Sequence, residues 1–425
     1  MKNKVWLLLV CLLALAVALA ACAEKAPETP ASVSTYKSQG EFPAIKDQLT
    51  WEKINNFPQK REDMTPDEAR QLCVDFFRFS KTALWTPDES MNYIRNKAGN
   101  SDSMTKGVIY GGLPYIGLGS GNIYRLMDYM DEETGVVDIS NAADVLKSFG
   151  NQCSIGAWWG WARAVNSSDY KWSQTCTVSH GLLRVGNYTY DNNLQEFTAS
   201  YGTKDVMMEN DQQTLFQAYA QLKPGDGMVW YIGSGHVVMC SSAAHVQYLA
   251  DGTIDGENSY ITIIDQGMGW KDGTSQAGDA YQYKTGVDVK KTFFKLESGG
   301  FLPFTFKEFT GEDPIEKTEV SFSHQGDTIT KQQLFSAKVT SNYSISDIYA
   351  IVRDAKGNEV YKHAVRCIEA NTEELAFVEN AAEDAVFDNV ERWGTLHPGT
   401  YTVEIVVQLG TGQRPTVYTG QLTVS

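Results

Sequence analysis

The sequence carries no CxxC pair, and its seven cysteines and six histidines form no cluster at zinc-ligand spacing, so no metal is expected. Basic residues are scarce: 36 Lys and Arg stand against 52 Asp and Glu, for a formal net charge of −16. That balance argues against nucleic acid as a partner and against an anionic surface held by the protein body. The Gly-rich stretch "KGVIYGGLPYIGLGSG" lacks the lysine and hydroxyl residue of a phosphate loop, and its G-x-G-x-x-G register fails after Gly121. Neither a nucleotide nor any other cofactor is expected.

The first residues, "MKNKVWLLLVCLLALAVALAACAEK", have the layout of a secretory signal: two lysines, an apolar run, then small residues before Cys22. Leu19-Ala20-Ala21-Cys22 resembles a bacterial lipobox, which implies a signal peptide over 1–21 and a diacylated Cys22. The expected location is extracytoplasmic, with contact to the membrane only through that lipid. Residues 22–45, rich in Pro, Ser, Ala and Thr, read as a flexible tether. With Cys11 removed and Cys22 lipidated, Cys73, Cys153, Cys176, Cys240 and Cys367 remain, an odd number that one reactive thiol accounts for economically.

"TPDEARQLCVDFFRF" and "TPDESMNYI" each read as a helix start, with Thr65 and Thr86 as N-caps and Pro66 and Pro87 at the first helical position. After Cys153 the composition turns to short β-branched and aromatic runs, "DGMVWYI", "HVVMCSSA", "AHVQYL" and "SYITIID", with the helix-like "DQQTLFQAYAQL" before them. Helices followed by an antiparallel sheet describe an α+β domain, assigned to 46–310 with its N-terminal helical region. A second shift at "FTGEDPIEKTE" begins short strands at sandwich-like intervals over 318–425, among them "LFSAKVTS". This tail resembles an immunoglobulin-like β-sandwich.

In "LKSFGNQCSIGAWWGWARAV", Gly150 and Asn151 break one helix and an apolar one follows, which puts Cys153 in its first turn. There the unpaired N–H groups and the helix dipole favour a thiolate. The alternative is a small buried cysteine. A nucleophile needs a histidine as base and acid. His324, His363 and His397 fall in the tail, and His180 and His245 lie in strand-like stretches without a special turn. His236 stands apart: "LKPGDGMVWYIGSGHVVMC" predicts a strand, a tight Gly-Ser-Gly turn and a return strand opening on the histidine, projecting from a hairpin edge. "SYITIIDQGMGW" then offers Asp265 at a strand end to orient the imidazole, with Gln266 as the fallback.

The "PGD", strand, Gly turn and "GHV" sequence resembles the histidine hairpin of papain-like cell-wall peptidases of the NlpC type, and "QCSIGAWW" is similar to their cysteine-bearing helix start. The likeness covers roughly residues 107 to 270. It implies a papain-like catalytic domain, a thiol peptidase or amidase with Cys153, His236 and Asp265 as catalytic residues, and peptidoglycan stem peptides or other peptides as substrate. Tyr115, in "GGLPYIGLGSG", matches a family tyrosine that lies beside the nucleophile; Gln152 stands where the family usually has an acidic residue. Gln152 and Tyr115 are candidate oxyanion donors beside the Cys153 N–H. Two alternatives stay open. "GNQC" is also similar to transglutaminase-like acyl transferases, and a catalytically inactive lipoprotein would use the same body as a binding or assembly module. A disulfide from Cys153 to Cys176 or Cys240 would favour the latter.

Overall fold

The computed structural model describes residues 45–91, 101–117, 119–140, 142–166, 171–172, 179–180, 182–190, 201–274, 280–284, 286–367, 373–377 and 396–425. The signal segment, Cys22, nearly all of the tether and Cys176 lie outside the described residues. The architecture is α+β, with several sheets.

After a short helix α1 (Trp51–Asn55), α2 (Pro66–Ser80) begins as its sequence dictates. Thr65 Oγ1 accepts from Glu68 N, and the Glu68 carboxylate accepts from Thr65 N. The buried face holds Leu72, Phe76 and Phe77. The second "TPDE" starts no helix. Thr86 and Pro87 close a strand, β1 (Leu84–Pro87), which pairs antiparallel with β2 (Tyr110–Gly111) and parallel with β4 (Val136–Val137). Trp85 is fully buried there, with its indole N–H donating to Gly112 O. Two strand partners and a buried indole outweigh an N-cap worth about 1 kcal/mol.

β1, β2 and β4 belong to a six-stranded sheet in the order β11 (Trp270–Thr274), β12 (Ala280–Lys284), β2, β1, β4, β3 (Met130–Asp131). A second six-stranded sheet, antiparallel throughout, runs β13 (Val289–Thr292), β10 (Tyr260–Asp265), β9 (Gly235–Cys240), β8 (Gly227–Tyr231), β14 (Leu302–Thr305), β7 (Leu183–Arg184). The stretch "AHVQYL" adds only isolated bridges, His245 to Tyr260 and Tyr248 to Ile254. A small ribbon joins β5 (Lys171–Trp172) to β6 (Ser179–His180).

Helices α3 (Ile123–Asp128) and α4 (Ala142–Phe149) lead to α5 (Cys153–Trp161), which lies between α2 and β9. All nine α5 residues are buried, so the apolar helix read from the sequence is covered all round. Glycine makes this possible: a Cβ on Gly160 would come within 2.8 Å of Met239 Cε and 2.9 Å of Phe77 Cβ. The Gly-rich loop before α3 serves the same end. A Cβ on Gly121 would lie 2.1 Å from the Phe149 carbonyl carbon, so this loop rests backbone against backbone on the segment that delivers Cys153. Gly121→Ala is therefore expected to cost at least about 2 kcal/mol in urea denaturation, since the backbone it meets has no rotamer to yield.

Four more helices accompany the second sheet: α6 (Thr203–Met208), α7 (Gln212–Tyr219) with Asp211 as N-cap, α8 (Phe293–Gly299), and α9 (Lys307–Thr310), which packs on α2. From 311 to 319 there is neither helix nor strand. Beyond it, a three-stranded sheet, β15 (Val320–Phe322), β17 (Lys338–Ser341), β20 (Glu374–Ala376), faces a five-stranded one, β16 (Thr328–Thr330), β22 (Thr416–Val424), β21 (Gly399–Leu409), β18 (Ile345–Arg353), β19 (Glu359–Arg366). The start of "LFSAKVTS" is helical rather than extended, because Thr330 and Gln333 form a capping box for α10 (Lys331–Ser336). Phe322, Val339, Ile348 and Leu422 from these sheets belong to the same buried cluster as Cys153, Trp158 and Met239. The described residues fall in one compact unit.

Candidate active site

The thiol's position is fixed by backbone. Asn151 N donates to Pro114 O and Ile116 N donates to Asn151 O, both at 3.1 Å, so the segment carrying Tyr115 runs beside the residues that precede the helix. Gln152 is the N-cap of α5, in an extended conformation, and Cys153 is the first helical residue. Cys153 is only 4% exposed and is a thiol, as are Cys73, Cys240 and Cys367. Its Sγ lies 3.9 Å from the carbonyl oxygen of Gly235, the residue before His236.

His236 and Asp265 come from neighbouring strands. β8 and β9 form the expected hairpin, with His236 beside its turn, and β9 is interior to the sheet, flanked by β8 and β10. Asp265 pairs in register with Val238, two residues from His236, and strand alternation puts all three on one sheet face. His236 Nε2 stands 2.9 Å from Asp265 Oδ1, with the two side chains 26% and 28% exposed. The imidazole is also hydrogen-bonded to Cys153. The ring thus lies between the Asp265 carboxylate and the Cys153 thiol.

Burial pulls the His236 pKa down, but the hydrogen bonds and charges of Asp265 and Cys153 outweigh it and hold it up at about 10. Burial likewise pushes the Asp265 carboxyl up, and the His236 contact, Lys81 and Lys291 outweigh it to leave its pKa lowered. The imidazolium form therefore carries stability that is fully present below about pH 6.5 and is lost as the pH rises through about 10. For Asp265 the sign is opposite: its contribution is present above the ordinary carboxylate range and is lost as the pH falls. Asp265→Asn should leave burial unopposed by that charge and drop the His236 pKa. Alkylation of Cys153 by iodoacetamide at pH 6 is then expected to slow at least about tenfold, one pKa unit of effect. An unchanged rate would disconnect Asp265 from the thiol.

The accessory residues divide. Gln152 is nearly buried, with Nε2 3.5 Å from Ser154 Oγ. Tyr115 donates its backbone N–H to Asp102 Oδ2 at 2.6 Å. Gln266 is 2% exposed and turned inward: Nε2 donates to Leu113 O at 3.1 Å and Oε1 accepts from Lys81 Nζ at 3.0 Å. Trp158, Trp159 and Trp161 are core, bonded through their indole N–H groups to Ser344 Oγ, Ser120 O and Gly225 O. Trp230 is half-buried opposite His236, and Phe301 meets the imidazole edge-on at 6.4 Å between centroids.

No family model and no curated protein matches the chain. Among the described residues, no group of three or more His, Cys, Asp and Glu is placed to hold a metal ion.

Sequence reasoning missed the buried charges behind Asp265, namely Lys81, Lys284 and Asp102. The sequence signal of Lys81 is that of an ordinary lysine at a helix C-terminus. Nothing local indicates that its side chain runs inward.

Proposed function

We propose that the protein is a lipid-anchored, extracytoplasmic cysteine peptidase or amidase, built as a papain-like domain of the NlpC type followed by an immunoglobulin-like sandwich. The observation that carries this reading is the His236 ring, which touches the thiol at a helix N-terminus on one side and a carboxylate on the other. In this reading His236 already holds the Cys153 proton as an imidazolium, and the thiolate attacks the carbonyl carbon of an amide. The first-turn N–H groups of α5 face the oxygen that becomes negative. The imidazolium then protonates the leaving amine as the C–N bond breaks, which leaves a thioester on Cys153. His236 next takes a proton from water as the water oxygen attacks the thioester carbon; the C–S bond breaks, the acid is released, and the thiolate beside the imidazolium is restored. Asp265 holds the ring tautomer and offsets the imidazolium charge throughout.

Peptidoglycan stem peptides are the substrate class the resemblance implies. The test is to incubate the purified protein with muropeptides and follow new amino termini by mass spectrometry, with His236→Ala as control. Cleavage that disappears in the variant is the expected result. Intact muropeptides alongside a His236-dependent reactive thiol would retain the nucleophile and discard this substrate, and products joined to an added amine would instead indicate acyl transfer.

A further inference from the structure

Behind the candidate triad, Lys81 follows α2 and is 3% exposed. Its Nζ donates to the backbone carbonyl of Asp265 at 2.7 Å and to Gln266 Oε1 at 3.0 Å. Gln266 lies in turn against α5: a Cβ added to Gly156 would approach its Cβ and Cγ at 3.1 Å. Gly156 is within one turn of Cys153. One ammonium thus ties the strand end that carries the carboxylate to the helix that carries the thiol.

A second buried lysine shares the region. Lys284 Nζ is 2.5 Å from Asp102 Oδ2, both side chains being at most 1% exposed, and Asp102 Oδ1 accepts from Gly269 N at 2.7 Å. Asp102 therefore clamps the turn that follows Asp265 as well as the Tyr115 segment. The charges felt at Lys81 are those of Lys284, Asp265 and Asp102. Two cations balance two carboxylates only while Asp265 is ionised. Without Lys81 the group would carry a net negative charge out of water, which opposes a carboxylate at Asp265. Burial, then Lys284, lowers the Lys81 pKa to about 7, so the ammonium is held there at a cost. A buried charge of this kind is poor value as stabilisation, since apolar replacements of buried ionic groups are often neutral or better.

The geometry points to Lys81 as a positioning residue for the triad: it holds the end of β10 through the Asp265 carbonyl and keeps the Asp265 carboxylate ionised against His236. This role rests on the proposed reading of Cys153, His236 and Asp265 as a triad, and the experiment separates the two. Cys153 alkylation by iodoacetamide is followed from pH 5 to 10 by peptide mass spectrometry, in the full-length protein and in Lys81→Met, Lys81→Gln and His236→Ala, with melting temperatures recorded alongside. Lys81→Gln retains a donor but not the charge, and serves where Lys81→Met does not fold. The expected result is a fall of at least about tenfold in rate at pH 6 for either Lys81 variant, converging on wild type at high pH, with little change in melting temperature. A lowered melting temperature with a wild-type pH profile would make Lys81 merely structural and overturn the role. A wild-type profile that His236→Ala leaves unmoved overturns the triad and the role with it.

Discussion

Replacing Cys153 with alanine is expected to remove at least about 10⁴-fold of amide hydrolysis, while costing no more than about 1 kcal/mol of stability. The asymmetry follows from where the sulfur sits. Cys153 opens a helix whose backbone is held by the Asn151 pairing and whose other side chains supply its packing, and alanine is the best helix former. Only one heavy atom is lost from the protein interior. In the proposed mechanism that atom is the whole covalent route: without it no thioester would form, and only orientation and polarisation of the carbonyl would remain. Side-by-side hydrolysis assays and urea titrations check both halves. A variant that keeps a tenth of wild-type activity would remove Cys153 from the mechanism, and a variant that unfolds would assign the cysteine to the core.

The three residues of this site were legible because each has a local signal. A Gly-Asn break before an apolar run marks the start of α5, a Pro-Gly-Asp turn with a Gly-Ser-Gly hairpin presents His236, and a β-branched run ending in Asp marks the exit of β10. Each signal concerns residues a few positions apart, where turn and capping chemistry act. What escaped depends on partners far along the chain. "TPDE" at 86–89 has the same capping letters as at 65–68, but strands from elsewhere claim it. The full burial of α5 was hidden because part of its cover comes from the C-terminal region: Gly410, just past β21, lies against Trp159, and Ser344, just before β18, accepts from Trp158. Lys81 escaped for a similar reason, since its role is set by β10, β12 and the Tyr115 segment together.

The seam between the body and the C-terminal sheets gives the largest expected loss of stability. Arg125 in α3 is 1% exposed, with Nε 2.9 Å from Asp347 Oδ1 in β18. Nη2 donates to the Ser346 and Cys367 carbonyls at 2.7 Å each, and Nη1 to the Ser120 carbonyl at 3.2 Å. Arg125→Ala should cost about 3–5 kcal/mol, because it leaves Asp347 a weakened buried charge and opens a cavity among acceptors that have lost a donor. Arg366, 3.1 Å from the same Asp347 oxygen, keeps the loss from being larger. The effect should reach the candidate active site. Ser120, whose carbonyl also accepts from Trp159 in α5, bridges to Asn151, two residues before Cys153. A misplacement there of the order of 1 Å is enough for about a hundredfold in rate. The expected readout is one cooperative urea transition, shifted to lower concentration, with hydrolysis reduced even where the variant is fully folded. If the C-terminal sheets were an independent appendage, Arg125→Ala would instead split unfolding into two transitions and leave hydrolysis at the wild-type rate until the second.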